Sequence, residues 1–172
     1  MTTFYIFRHG NTKNTEGVSS FIKHLTPDGG GPMDLPILPK SKYALEKIGE
    51  YLKDIPTEAN FTSPYLRCKD SSKIVSKISG KVFKEDERIR ELTRNVKGFV
   101  GFKGRVKDFL KEIEDKNYSA VTICTHGAVI AAIKHLVTTG KFYYFQGIDF
   151  PAPGNLMIIK GKKVEIINFN KK

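Results

Sequence analysis

Two stretches, far apart in the chain, share a pattern that few folds can accommodate. Phe4-Tyr5-Ile6-Phe7 runs straight into Arg8-His9-Gly10, and Ala120-Val121-Thr122-Ile123-Cys124-Thr125 runs into His126-Gly127. Each is a β-prone apolar run ending at a histidine and a glycine. A buried strand that stops this way throws its next side chains onto the C-terminal rim of the sheet, where open α/β sheets bind ligands. Two such strands side by side would set two imidazoles at one sheet edge.

The chain between them alternates helical and extended patterns. Tyr43, Ala44, Leu45, Ile48, Tyr51 and Leu52 recur at helical spacing and predict a helix over about 40–54, closed by Pro56. Asn60-Phe61-Thr62 reads as a short strand. Ser63 then reads as an N-cap, with Pro64 at the first position of a helix reaching about Ile78. Lys81 to Phe83 predict another short strand. Glu85 to Gly104 reads as irregular, its second half loosened by Gly98, Gly101 and Gly104, and a helix follows over about 102–116 with Val106, Phe109, Leu110 and Ile113 on one face. An apolar helix is expected from Ala128 to Val137, and Leu156 to Ile167 predict a hairpin turning at Gly161-Lys162. This order implies a layered α/β fold, with a mostly parallel sheet, an antiparallel edge and one domain over residues 1–172.

Composition narrows the function classes. No apolar run approaches the ~20 residues of a membrane span, and no signal-peptide pattern opens the chain. The two cysteines, Cys68 and Cys124, form no zinc or disulfide framework, so a cytoplasmic protein without a membrane partner is expected. The net charge of +11 favours anionic partners. Its lysines are scattered and no aromatic-basic motif or zinc finger accompanies them, which argues against nucleic acid. Gly29 to Gly31 are not followed by Lys-Ser/Thr at the spacing of a phosphate-binding P-loop.

Phosphoryl transfer needs a nucleophile, fixed positive charge on the phosphoryl oxygens and an acid for the leaving group. Neutral imidazole is nucleophilic near pH 7 and forms a labile phosphoramidate, a role open to His9. Arg8 supplies a planar, permanently charged fork beside it. Arg67, in Ser63-Pro64-Tyr65-Leu66-Arg67, falls in a helix's first turn, where the macrodipole disfavours cations. Such a break with a local rule marks a candidate phosphate ligand. His126 could donate a hydrogen bond to a phosphoryl oxygen. A carboxyl near a bound dianion would serve as acid, and spacing does not choose between Glu85, Asp86, Glu87 and Glu91.

Taken in order, Arg8-His9-Gly10-x-Thr12, Ser63-Pro64-x-x-Arg67, Arg90-Glu91 and Thr125-His126-Gly127 resemble the histidine phosphatase superfamily, the phosphoglycerate-mutase-like group, along nearly the whole chain. The resemblance implies a three-layer α/β/α sandwich. It implies His9 as the phosphorylated nucleophile, Glu91 as the proton donor, and Arg8, Arg67 and His126 as the phosphate pocket, with no metal or cofactor. Many members carry an asparagine six residues after the nucleophile; here that position is Thr15, with Asn14 before it, and either could contact phosphate. Arg94 stands where a glycine often follows the acid, and Cys68 where alanine often follows the arginine. The expected activity is phosphomonoester hydrolysis of a small phosphorylated metabolite. The alternatives are a mutase, a phosphohistidine-protein phosphatase and a non-enzymatic anion or nucleic-acid binder. Lys13, His24 and Arg94 are candidates for a second anionic group.

Overall fold

A computed structural model describes residues 1–15, 33–92 and 96–170. His24 and Arg94 lie outside the described residues. The elements are β1 (Thr3–Arg8), α1 (Lys42–Lys53), β2 (Ala59–Thr62), α2 (Leu66–Ser79), β3 (Lys84–Glu85), α3 (Val96–Asp115), β4 (Ala120–Thr125), α4 (Gly127–Thr139), β5 (Asn155–Lys160) and β6 (Lys163–Asn168). Short 3-10 turns at Pro39–Ser41, Glu87–Ile89 and Tyr144–Ile148 punctuate them.

The strands form one sheet in the order β3-β2-β4-β1-β5-β6. The first four of these are mutually parallel, while β5 pairs antiparallel with β1 and with β6. Side chains alternate across a strand, so adjacent apolar residues must bury on opposite faces. Ile6 and Ile123 join one core with Phe102, Val106 and Phe109 of α3 and Val129 to Ile133 of α4. Phe7 and Cys124 join the other with Leu45, Ile48 and Leu52 of α1 and Val75 of α2. Apolar residues on both faces of the central strands thus demand helices on both sides. The result is the expected α/β/α sandwich with a mostly parallel sheet and an antiparallel edge. No helix among the described residues is long and apolar enough to cross a membrane.

Three local expectations are corrected. First, Ser63 is not a helix cap: its N–H extends the sheet to Cys124 O, its hydroxyl is used elsewhere, and α2 starts at Leu66 behind Tyr65. Second, the strand expected at Lys81 to Phe83 lies at Lys84–Glu85. Lys81 is drawn away, its Nζ donating to Ile55 O at 2.6 Å and Thr57 Oγ1 at 2.9 Å, while Phe83 packs edge-on against Phe7.

Third, the glycine-bearing segment is helical, because α3 begins at Val96. Phe99 continues the helix's apolar face by packing on Phe102, Phe142 and Tyr144. A Cβ at Gly101 or Gly104 would meet open space, so these glycines lie away from the packed face. Burying the aromatic side chains outweighs the ~1 kcal/mol each glycine costs a helix.

Candidate active site

In the β1–β4 pair Arg8 stands opposite Thr125, so His9 and His126 follow at the same level of the rim. Their ring centroids are 5.2 Å apart at an interplanar angle of 61°. The rim is also where α2 and α4 begin, and neither helix has a side-chain cap at its N-terminus. Helix N-termini that keep unsatisfied N–H groups attract anions.

The four pocket residues are nearly sealed from solvent, with exposures of 6% for Arg8, 2% for His9, 1% for Arg67 and 0% for His126. Arg67 is the bulkiest of the fully buried side chains. A guanidinium is seldom so enclosed without a task. Each arginine lies on an aromatic face, Arg8 at 4.7 Å from the Phe150 ring and Arg67 at 4.7 Å from the Tyr65 ring. Such stacking orients the planar forks. Burial first and the neighbouring Arg67 second push the Arg8 pKa down to about 10, against the opposing pull of Glu91. Arg8 therefore keeps its charge at neutral pH.

The histidines are held in defined tautomers by their neighbours. His9 Nδ1 lies 2.8 Å from Gly10 O, and a carbonyl only accepts, so Nδ1 carries the proton and Nε2 keeps its lone pair. Gly10 N–H donates to Ser71 Oγ, which donates to Arg67 O, tying the end of β1 to the start of α2. His126 Nε2 lies 2.7 Å from Ser63 Oγ, and Tyr65 N–H points at the same oxygen from 3.4 Å. Glu91 Oε2, 3.5 Å from His126 Nδ1, favours a proton on that nitrogen, and Ser63 can then accept from Tyr65 N–H and donate to Nε2. Burial, then the charges of Arg67, His9, Arg8 and Arg105, push the His126 pKa well below its ordinary value, so the ring is neutral.

The four candidate acids separate clearly. Glu85 is exposed and faces Lys69, Asp86 caps a 3-10 turn and pairs with Arg88, and Glu87 reaches Arg90 on the surface. Glu91 has a side chain only 13% exposed, with Oε2 3.5 Å from His126 Nδ1. The backbone before it is held from β4, where Thr125 Oγ1 donates to Ile89 O at 2.7 Å. The geometry thus brings together Arg8, His9, Arg67, Glu91 and His126.

Thr15 sits in a turn. Its hydroxyl accepts from Thr12 N and its single proton goes to Thr12 O. Asn14 is half-buried in the same turn and Lys13 is exposed.

Sequence reasoning passed over several contributors. Thr12 lies in the first motif, yet its hydroxyl was not singled out; it is fully buried and meets no hydrogen-bond partner among the described residues. Ser63 carried a cap signature that fitted its type and neighbours. Tyr65, Phe150, Ser71 and Arg105 had no local signal. Among the described residues no group of three or more His, Cys, Asp or Glu side chains could hold a metal ion.

Comparison with known proteins bears on the fold and the family. The fold matches the alpha-ribazole phosphatase from Shigella flexneri at 15% identity, with a TM-score of 0.71 and coverage of 98% of this chain and 96% of that one. It matches the mycobacterial glucosyl-3-phosphoglycerate phosphatase at 13% identity, with a TM-score of 0.70 and 99% of each chain covered. The protein histidine phosphatase SixA, in a complex with tungstate, matches at 13% identity with a TM-score of 0.64, covering 96% of this chain and 94% of that one. No curated protein matches the sequence. The sequence itself fits the histidine phosphatase superfamily (branch 1) profile over residues 4–97. With more than half its length matched, the chain belongs to branch 1 of the histidine phosphatase superfamily and is an enzyme of the phosphatase type.

Proposed function

We propose that this phosphatase hydrolyses phosphomonoesters of a small metabolite through a phosphohistidine at His9, without a metal. The observation that carries the reading is the hydrogen bond from His9 Nδ1 to Gly10 O, which puts the ring proton on Nδ1 and makes Nε2 the nucleophilic nitrogen on a rim shared with buried Arg8, Arg67 and His126. In the first step Nε2 forms a P–N bond as the ester P–O bond breaks. The electron pair leaves with the ester oxygen, which takes the proton of the Glu91 carboxyl. In the second, the Glu91 carboxylate accepts a proton from water as its oxygen attacks phosphorus, and the P–N electrons return to His9. Arg8, Arg67 and His126 Nδ1–H offset charge on the equatorial oxygens throughout.

One feature favours hydrolysis over a mutase reaction. Only residues 92–95 separate Glu91 from α3, so no long insertion follows the acid to exclude water from the intermediate. The test is a rapid quench with a labelled phosphomonoester. A base-stable, acid-labile phosphoenzyme is expected, mapped to His9 and absent from His9→Asn. Undiminished turnover by that variant would overturn the reading.

A further inference from the structure

We propose that Arg105 is a positioning residue for the proton-transfer step, clamping the loop that presents Glu91. The inference rests on the reading of Glu91 as the general acid. Arg105 projects from α3, and its two terminal nitrogens donate to two carbonyls of one loop, Nη1 to Arg88 O at 2.5 Å and Nη2 to Glu91 O at 2.8 Å. Between them, Ile89 O is held by Thr125 Oγ1, one residue before His126. Carbonyls 88, 89 and 91 are therefore tied alternately to α3 and to β4. The second of the Arg105 bonds falls on the acid's own backbone.

The guanidinium is oriented for this task by a ring on its own helix. It lies 4.8 Å from the Phe102 ring, whose side chain is buried in the core between α3 and the sheet. A planar fork stacked on a fixed ring can address two carbonyls at once, which a lysine ammonium on a flexible stem cannot. Burial and the nearby Arg90 lower the Arg105 pKa to about 10, with Glu91 opposing, so it stays charged at neutral pH. A half-buried cation spent on neutral carbonyls is a costly way to fix a surface loop. The cost is reasonable where the loop must hold a carboxyl to within a fraction of an ångström of its working position.

The experiment uses the full chain and two phosphomonoesters, one with a dinitrophenol leaving group that departs unaided and one with an alkoxide that needs a proton. Glu91→Gln should lose about 100-fold or more in kcat/KM on the alkyl ester and little on the dinitrophenyl ester, because kcat/KM reports the phosphorylation step and not the later hydrolysis in which Glu91 acts as base. Arg105→Met should show the same contrast at lower amplitude, about 10-fold against about twofold or less, with Arg105→Lys between it and the parent. In the Glu91→Gln background, Arg105→Met should cost nothing further on the alkyl ester.

Equal losses on both esters in the Arg105 variants, or no loss, or additivity with Glu91→Gln, would overturn the inference while leaving the acid assignment intact. Equal losses on both esters in Glu91→Gln would instead remove the acid assignment and the inference with it. Circular dichroism and melting curves identify any variant that fails to fold, and Arg105→Lys then carries the comparison with the parent enzyme.

Discussion

The Ser63 hydroxyl stands 2.7 Å from His126 Nε2, and both residues are fully buried. This bond occupies Nε2 and leaves Nδ1 as the nitrogen turned towards Glu91. Cys68 Sγ, at 3.5 Å from the same nitrogen, is too weak a partner to replace it. Ser63→Ala should therefore leave a buried ring nitrogen poorly satisfied, at a cost of about 1–3 kcal/mol, and free the ring to adopt its other tautomer. The expected result is a drop of about 10-fold in kcat, with Ser63→Thr retaining most of the activity. Nitrogen NMR of His126 reads the tautomer directly, and an unchanged spectrum in Ser63→Ala would count against this role.

Acid should destabilise the enzyme through His126. Burial, followed by Arg67, His9, Arg8 and Arg105, keeps its folded pKa well below the unfolded value. Above about pH 6.5 both states are neutral at this site and it contributes no pH dependence. Below that value the unfolded chain takes up a proton that the folded chain refuses. Stability should then fall by up to ~1.4 kcal/mol per pH unit until the folded pKa is reached. Melting temperatures followed from about pH 8 to 5 should show this slope in the parent and a shallower one in His126→Gln. Bound orthophosphate should flatten it as well, because a dianion offsets the cationic neighbours that hold the pKa down.

The frame of this site was legible in the sequence because strand chemistry is local. An apolar run on both faces of β1 and β4 can only be an interior strand, and the His-Gly that ends each run can only emerge on the rim. Arg67 was legible because it violates a helix-terminus preference. Ser63 misled because a helix cap and a histidine partner call for the same short hydroxyl side chain. The start of α3 misled because its three glycines hid the continuation of the apolar face through Phe99. Glu91 could not be separated from its three acidic neighbours by residue type alone. Arg105 had no signature at all, since it binds backbone carbonyls and those look alike at every position.

Gly10 tests how closely the rim is packed. A Cβ there would lie 2.6 Å from Ser41 Cβ and 2.8 Å from its Oγ. The backbone cannot retreat freely, because Gly10 N–H is tied to Ser71 Oγ and Gly10 O to His9 Nδ1. Gly10→Ala should cost about 1–3 kcal/mol in a urea melt and reduce turnover by shifting His9. Adding Ser41→Gly removes both close contacts and should recover most of the stability. A double variant no more stable than Gly10→Ala alone would show that Ser41 is not what excludes a side chain at this position.

Arg67 separates charge from shape in the proposed phosphate site. Its guanidinium is buried against the Tyr65 ring at the start of α2, where the helix terminus already favours an anion. Arg67→Lys keeps a positive charge but loses the planar fork that, in the proposed mechanism, meets two phosphoryl oxygens at once. Because those oxygens spread into the equatorial plane only in the transition state, where a fixed fork would meet them best, the loss should fall mainly on kcat, by about 100- to 1,000-fold. Inorganic phosphate, a ground-state ligand, should bind only about 10-fold more weakly. Tyr65→Leu leaves the fork and removes only its aromatic support, worth about 1 kcal/mol, so it should cost about fivefold. Initial rates and phosphate inhibition constants measured on the same preparations decide the matter. If Arg67→Lys leaves kcat unchanged and lowers kcat/KM and phosphate affinity by the same factor, the guanidinium holds the ground state as tightly as the transition state, and its geometry gives no rate advantage beyond binding.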